Sequence, residues 1–143
     1  MNDDLSQCRN QVLRFFRYLD ERQYSALTAL LSPQAVWHRQ GRILAGPAQV
    51  HAALMQRSPT MRIVHLISNL MADELDAQHC TMRCYMLVVR HEPGRDVSGP
   101  VPLDGIENIR TMAIRLERAD TQWLITELKG EDLLFAAETG DKK

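Results

Sequence analysis

The chain has 143 residues, of which 45% are hydrophobic and 24% charged, a balance typical of a single globular domain with one substantial core. Its 17 basic and 18 acidic residues are spread along the chain and give a formal net charge of −1, so we expect no nucleic-acid partner. No apolar run approaches the length needed to span a bilayer, so we expect no membrane partner either.

Helical periodicity dominates the start of the chain. An amphipathic helix is predicted from Asp3 or Asp4, either of which could cap it, to near Arg22. A second, shorter helix is predicted over Tyr24–Leu31 and ends at Ser32-Pro33, because the residue before a proline avoids helical geometry. Both helices have one apolar face, which the rest of the fold must cover.

A hairpin and a third helix are predicted next. Ala35–Gln40 has the alternation of a strand, and Arg42–Ala45 could pair back onto it across Gly41. Pro47 suits the first turn of a helix, and apolar residues continue at helical spacing to about Arg57.

From Arg62 onward the periodicity is that of strands. Arg62–Leu75 is apolar on both faces, which indicates a strand covered on both sides. Glu92–Gly105 contains three prolines and three glycines, a composition typical of a mobile surface loop. The remaining strands are predicted at His79–Arg90, Ile106–Arg118 and Trp123–Lys129, with Leu133–Phe135 extending the last beyond a bulge at Gly130.

Helices followed by antiparallel strands form the α+β pattern. The sequence therefore predicts a cone-shaped roll, with three N-terminal helices packed on a curved, mostly antiparallel sheet. We expect one domain over residues 1–143, with an ordered core of about 5–135. Such a cone encloses a cavity, and cavities of this kind usually bind something small and apolar.

The cysteines and the N-terminus indicate the compartment. Cys8, Cys80 and Cys84 are odd in number and lack Cys-x-x-Cys spacing, so we expect buried free thiols and neither a disulfide framework nor a zinc site. The N-terminal residues are acidic and polar, unlike a signal peptide. We expect a cytoplasmic protein.

Several stretches together resemble a known superfamily. They are RFFRYLDERQYSALTALLSPQAVW, a Gly-Pro helix, RIVHLISN and a closing WLITELK strand, and they resemble the nuclear transport factor 2-like superfamily over about residues 8–135. Within it, the chain is similar to polyketide-cyclase-like proteins, scytalone dehydratase and the small subunits of ring-hydroxylating dioxygenases. The resemblance implies the cone fold. It implies no single reaction, because this scaffold includes enzymes and catalytically silent subunits.

Two residues match the dehydratase pattern. Asp20 corresponds to the aspartate that ends the first helix there, and His65 corresponds to a histidine of the first long strand. The resemblance implies that the aspartate orients this histidine. The sequence departs from the pattern elsewhere: Leu19 and Arg39 stand where that enzyme has tyrosines, and Arg90 where it has a second histidine. The full dehydratase mechanism therefore does not transfer.

The matched pair has more than one interpretation. His65 lies between Ile63 and Ile67, where it is either a hydrogen-bonded core histidine or a general acid/base lining a pocket. Asp20 could orient His65, act as the base itself, or form a buried salt bridge with Arg90 that is purely structural.

Further pocket residues are predicted with structural alternatives beside them. Arg39 and Arg90 could bind a carboxylate or enolate oxygen, or could be solvated arginines at a strand edge. The other candidates for the pocket wall have packing or surface hydrogen bonding as their alternative roles. They are Trp37, Tyr85, Asn69, Asn108 and Met86.

Metal and cofactor sites have no support in the sequence. His38, His51 and His79 show no ligand spacing, so we expect no metal site. No Gly-rich phosphate loop or nucleophile elbow is present, and we expect no cofactor.

Two functional hypotheses follow. The first is a cofactor-independent lyase or isomerase, in which Asp20 and His65 form the acid/base pair on a cyclic, largely hydrophobic or aromatic small molecule. The second is a non-catalytic small subunit or binding module, in which a buried polar network of Asp20, His65 and Arg90 fixes the fold. We expect a homodimer formed through the outer face of the sheet, or, under the second hypothesis, a larger oligomer with a dioxygenase large subunit.

Overall fold

The structure, a computed structural model, describes residues 3–137 as three helices and one six-stranded sheet. The elements are α1 (Asp4–Asp20), α2 (Tyr24–Thr28), β1 (Leu31–Arg39), β2 (Arg42–Ala45), α3 (Gly46–Leu54), β3 (Arg62–Leu75), β4 (His79–His91), β5 (Asn108–Ala119) and β6 (Gln122–Ala136). The strand order is β2-β1-β6-β5-β4-β3, in which β1 and β6 are parallel and all other neighbours are antiparallel. The predicted α+β architecture, with helices on a curved and mostly antiparallel sheet, is confirmed.

The helix α1 lies across the inner face of the sheet and packs on β3 and β6. Its apolar stripe includes Val12, Phe15 and Phe16, which are almost fully buried and are worth roughly 1.5–3 kcal/mol each when removed from water. The helix ends at Asp20, two residues before the predicted end. Arg22 adopts a left-handed backbone (φ 61°), and the Gln23 N–H then donates to the Tyr18 carbonyl at 2.8 Å, which closes the last turn.

The second helix is shorter than the sequence indicated, and its predicted extension to Leu31 is wrong. The Ile125 N–H donates to the Leu30 carbonyl at 2.9 Å, so the chain at Leu30 pairs with β6 and β1 begins at Leu31. Pro33, which has no N–H to give to a ladder, falls in the irregular stretch of the β1–β6 pairing between Leu31 and Val36. Tertiary pairing here overrides the local helical pattern.

The hairpin of β1 and β2 and the Pro47 start of α3 are confirmed. Gly46 takes the positive φ of 85° that turns the chain from β2 into α3, a conformation that favours glycine. The strand β6 continues past Gly130 to Ala136, and its pairing with β5 shifts register between Gly130 and Leu133, as the predicted bulge required.

Within the single chain the strand β3 is covered on one side only, whereas the sequence predicted a strand covered on both sides. It lies at the edge of the sheet, and its outward side chains Val64, Leu66 and Met71 are 43%, 50% and 65% exposed. Within residues 3–137, no helix combines the length and apolar character needed to cross a membrane.

Candidate functional site

A cavity of about 190 Å³ lies between α1 and the inner face of the sheet. An engineered cavity of roughly 150 Å³ holds benzene, so this one has room for a ring with substituents. Its lining combines apolar and aromatic side chains with several charged ones. The lining residues include Phe16, Leu19, Trp37, Arg39, Arg57, His65, Met86, Val88, Arg90, Glu107, Asn108, Arg110, Met112 and Gly130.

His65 on β3 and Asp20 at the end of α1 are in direct contact. Nδ1 of His65 lies 2.6 Å from Oδ1 of Asp20, and the backbone N–H of His65 donates to Oδ2 at 2.8 Å. The side chains are only 10% and 16% exposed. One carboxylate therefore fixes both the ring and the backbone of His65.

This contact determines which ring nitrogen of His65 is left without a partner. An ionised carboxylate only accepts hydrogen bonds, so Nδ1 of His65 has to be the donor. In the neutral ring the proton is then on Nδ1, and Nε2 is left with a free lone pair. Nε2 has no hydrogen-bond partner among residues 3–137. The His65 side chain lines both the cavity and a surface groove beside α1 and β3, so the nitrogen with the free lone pair belongs to a cavity-lining side chain.

Asp20 lies behind His65, away from the cavity. Its side chain borders two surface grooves, one beside α1 and β3 and the other beside residues 96–98. The ring of Phe16 lies 5.7 Å from the imidazole and covers it from the helix side. Asp20 can thus hold and polarise His65 without touching a molecule in the cavity.

Arg90 contacts a different carboxylate from the one that the sequence suggested as an alternative. Its Nε donates to Oε1 of Glu107 at 2.8 Å, and Asp20 is occupied by His65. The buried Asp20–Arg90 salt bridge is therefore wrong. Glu107 is positioned by its own backbone N–H, which donates to the Val88 carbonyl at 2.7 Å beside Arg90.

Arg39 lies at the cavity wall above Trp37, with its guanidinium carbon 5.4 Å from the ring centroid. It forms no hydrogen bond or ion pair with any residue in the described range. Burial, and after it the neighbouring Arg57 guanidinium, lower the pKa of Arg39 from its ordinary value. Arg39 is a partly buried positive charge at the cavity wall, without a carboxylate partner among residues 3–137.

Comparison with known proteins identifies the family of this chain. A family model described as a SnoaL-like domain matches residues 2–129. The chain belongs to the SnoaL-like domain family. That family lies within the nuclear transport factor 2-like superfamily, so the resemblance seen in the sequence is confirmed.

Solved structures share the fold of this SnoaL-like chain at low sequence identity. An NTF2-like protein with a cystatin-like fold from Novosphingobium aromaticivorans has a TM-score of 0.71 and 16% identity, over 90% of this chain and 80% of that one. A scytalone dehydratase-like protein from the same organism has a TM-score of 0.73 and 13% identity, over 97% and 89%. The beta subunit of the benzoate 1,2-dioxygenase from Burkholderia mallei has a TM-score of 0.69 and 12% identity, over 91% of both chains. A search of curated protein sequences gives no match. These likenesses establish the fold alone.

Three of the five predicted wall residues line the cavity of the SnoaL-like domain and two do not. Trp37, Met86 and Asn108 belong to its wall. Tyr85 is 42% exposed, because successive side chains of β4 alternate and the neighbours of Met86 face outward. Asn69 has a left-handed backbone (φ 57°) at a bulge in the β3–β4 pairing, which turns Leu70 inward and leaves Asn69 exposed. Placing Asn69 and Tyr85 at the cavity wall was wrong.

Sequence reasoning missed Arg110, Arg57 and Glu107, which also line the cavity. A signal for Arg110 exists in the sequence, because it has the same parity as the buried Met112 and Ile114 on β5. Arg57 follows α3 and donates to the Leu19 carbonyl at 2.9 Å and to the Tyr24 hydroxyl at 3.0 Å, contacts that no local pattern indicates.

The cysteines lie away from the cavity in the solid part of the core. Cys8, Cys80 and Cys84 are buried free thiols. Burial raises the pKa of the Cys84 thiol to about 12 and raises those of Cys8 and Cys80, so none of the three is a ready nucleophile. The described residues contain no cluster of three or more His, Cys, Asp or Glu side chains that could hold a metal ion.

Proposed function

We propose that this SnoaL-like domain catalyses a proton-transfer reaction, an isomerisation or an elimination of water, on a cyclic small molecule bound in the cavity. His65 is the general acid/base and Asp20 is its positioning residue. The observation on which this proposal rests is the paired contact of Asp20 with Nδ1 and with the backbone N–H of His65, which leaves Nε2 free at the cavity wall.

The proposed reaction needs no group beyond the side chains already described. Nε2 of His65 takes a proton from a carbon next to a ring carbonyl, and the electron pair of the C–H bond moves onto the carbonyl oxygen as an enolate. Asp20 stabilises the imidazolium formed in this step. The proton then returns from Nε2 to another carbon, which completes an isomerisation, or to a departing hydroxyl group, which completes a dehydration.

The cavity arginines supply the electrostatic part of this proposal. An enolate oxygen bears negative charge in the transition state, and fixed positive charge in a water-poor site lowers its energy. Arg39 is suited to this role because it has no counter-charge in the described range, whereas Glu107 neutralises Arg90.

The competing hypothesis, a non-catalytic small subunit or binding module, predicts a buried polar network of Asp20, His65 and Arg90 that fixes the fold, and an Asp20–Arg90 pair would favour it. The Arg90–Glu107 contact, together with the cavity beside His65, supports the catalytic proposal instead. We further propose that the chain forms a homodimer through the exposed apolar side chains of the sheet's outer face, among them Val64, Leu66 and Tyr85.

The test compares His65→Ala and Asp20→Asn with wild type on a panel of ring ketones and hydroxy-ketones. Proton exchange is followed in D₂O by NMR, and dehydration by the absorbance of the conjugated product. We expect His65→Ala to lose at least about a hundredfold in rate, the usual contribution of a general acid/base.

The matched control is the surface pair of Asp76 and His79, in which Nδ1 lies 3.5 Å from the carboxylate and both side chains are about two-thirds exposed. Asp76→Asn and His79→Ala should react at the wild-type rate. If His65→Ala and Asp20→Asn also turn over an active substrate at the wild-type rate, the proposal is wrong.

A further inference from the structure

We propose that the cavity binds its ligand as an anion: a hydroxylated ring acid whose carboxylate contacts Arg39 and Arg110 and whose hydroxyl group donates to Asn108. This inference deepens the proposed function and rests on it only in assuming that the cavity is the working site. It differs from that proposal because the negative charge is present on the ligand before any reaction.

The first observation is the imbalance of charge around the cavity. Four arginines line it, and Glu107 is the carboxylate that faces them. Glu107 is occupied by Arg90, so the other three arginines have no carboxylate partner within residues 3–137. The four are Arg39, Arg57, Arg90 and Arg110. A cavity lined with this excess of positive charge attracts an anion and disfavours a cation.

Arg39 is the first of the arginines without a carboxylate partner. Its guanidinium is partly buried and its central carbon lies 5.4 Å from the centroid of the Trp37 ring, and the nearby Arg57 adds like-charge repulsion. Such an arrangement is costly unless a negative group compensates it. A carboxylate would compensate it well, because it can accept two parallel N–H bonds from one guanidinium.

Arg110 approaches the same cavity from β5. Its side chain lies across Gly130: a Cβ added to that glycine would be 3.2 Å from Nη1 and 3.3 Å from Cδ of Arg110. The absence of a side chain at position 130 thus leaves room for Arg110 to extend along the cavity wall. Arg110 forms no ion pair with any side chain in the part of the chain that the structure describes.

Asn108 identifies the second functional group of the ligand. Its Oδ1 is buried, has no hydrogen-bond partner among the described residues, and belongs to a side chain that lines the cavity. A buried acceptor without a partner is costly, and a donor on the ligand removes this cost. A hydroxyl group on the ring is such a donor.

The remaining lining determines the body of the ligand. Phe16, Trp37, Met86 and Met112 form an apolar and aromatic surface. A volume of about 190 Å³ fits one substituted ring, by comparison with the roughly 150 Å³ that holds benzene. The ligand class is therefore a small ring acid with a hydroxyl group.

The test measures binding by isothermal titration calorimetry with three compounds: 3-hydroxybenzoate, its neutral isostere 3-hydroxybenzamide, and benzoate. We expect wild type to bind 3-hydroxybenzoate at least about tenfold more tightly than 3-hydroxybenzamide and than benzoate. Arg39→Met and Arg110→Met should each weaken binding of the acid at least about tenfold and change binding of the amide little. Asn108→Leu should remove the preference for the hydroxylated acid over benzoate.

Two controls separate direct contact from folding and from long-range charge. Arg42 is an exposed residue of β2 that pairs with Arg39 in the hairpin but does not line the cavity. Arg42→Met removes its charge and should bind the acid like wild type. Arg39→Lys keeps the charge but loses the fork, so it should bind the acid with intermediate affinity. Equal thermal midpoints would show that the variants are folded.

The inference is overturned if the amide binds as tightly as the acid, if neither binds at millimolar concentration, or if Arg42→Met costs as much as Arg39→Met. Its failure is distinguishable from that of the proposed function. His65→Ala should still bind 3-hydroxybenzoate. If wild type turns over neutral ketones in a reaction that depends on His65 but does not bind the acid, the anionic ligand is refuted and the proposed function is not.

Discussion

Replacing Asp20 by Asn tests the site without any substrate. The change keeps the size of the side chain and replaces one acceptor oxygen by an NH₂ donor. In the native contact, both partners of the carboxylate are donors, namely the backbone N–H and Nδ1–H of His65. The asparagine oxygen can still accept from the backbone, but its NH₂ group then faces Nδ1. We therefore expect the His65 proton to move from Nδ1 to Nε2, so that Nδ1 becomes an acceptor.

The cost in stability follows from counting the hydrogen bonds that survive. In Asp20→Asn both contacts persist and only their charge-assisted strength is lost, so the free energy of unfolding should fall by about 1 kcal/mol. In Asp20→Ala both donors lose their partner. Each buried unpaired donor costs about 1–3 kcal/mol, and since the pair is 10% and 16% exposed, water offsets part of this. A loss of about 2–4 kcal/mol is expected.

The backbone contact explains why the alanine variant costs more than a surface deletion. The strand β3 is the edge of the sheet, and the N–H of His65 donates to Asp20 instead of to a neighbouring strand. The carboxylate therefore covers an otherwise open position of the sheet edge, besides holding the imidazole.

The measurement is a long-range ¹H–¹⁵N correlation spectrum of the imidazole nitrogens, recorded at a pH where His65 is neutral. We expect the proton on Nδ1 in wild type and on Nε2 in Asp20→Asn, with urea denaturation giving the stability changes. Asp76→Asn, which alters the exposed pair with His79, should leave the His65 signals unchanged. If wild type and Asp20→Asn have the same tautomer, the proposed orientation of His65 is refuted.

Three other substitutions test the core, the cavity wall and the outer face. Burial raises the pKa of Cys84 to about 12 from an ordinary 9.0, so the stability that the protonated thiol contributes is complete below pH 9 and is lost as the pH rises towards 12. When the pH is raised from 8 to 10.5, the free energy of unfolding should therefore fall by about 2 kcal/mol less in Cys84→Ala than in wild type, as measured by urea titration at each pH. Equal falls in the two proteins would contradict this reasoning. Gly130→Ala should displace Arg110 and thereby weaken 3-hydroxybenzoate binding several-fold in calorimetry, while the free energy of unfolding changes by no more than about 1 kcal/mol. Unchanged affinity would exclude the packing of Arg110 across Gly130. Wild type should sediment as a dimer at micromolar concentration. Leu66→Glu, which places a charge opposite Leu87 on the outer face, should sediment as a monomer, and a wild-type monomer would contradict the proposed interface.

The sequence was informative where the signal is local and periodic. The apolar stripe of α1 predicted a buried helix, with an end placed two residues too late at Arg22, and strand alternation in β3 predicted that His65 lies on the same face as Ile63. The family resemblance then paired Asp20 with His65. The structure places both predicted elements against each other, so that the two side chains meet at 2.6 Å.

The sequence was misleading where one residue changes the register. A strict alternation along β3 places Asn69 on the inner face with His65, but the left-handed backbone at Asn69 inserts a bulge and turns Leu70 inward. The partner of Arg90 was equally invisible, because Glu107 precedes β5 and reaches Arg90 only through the pairing of β5 with β4. Long-range pairings of this kind depend on the assembled sheet.

The register of the sheet links the solid core to the chemistry of the cavity. Along the inner faces of β4 and β5, apolar residues at one end give way to polar ones at the other, and antiparallel pairing brings like ends together. Cys80 pairs with Leu116 in the core, while Val88 pairs with Asn108 at the cavity. A slip of one residue would turn the outward Arg115 into the core and remove Asn108 from the cavity. The burial that stabilises the core end therefore also selects the side chains that face the ligand, which is why we expect cavity substitutions to change binding much more than folding.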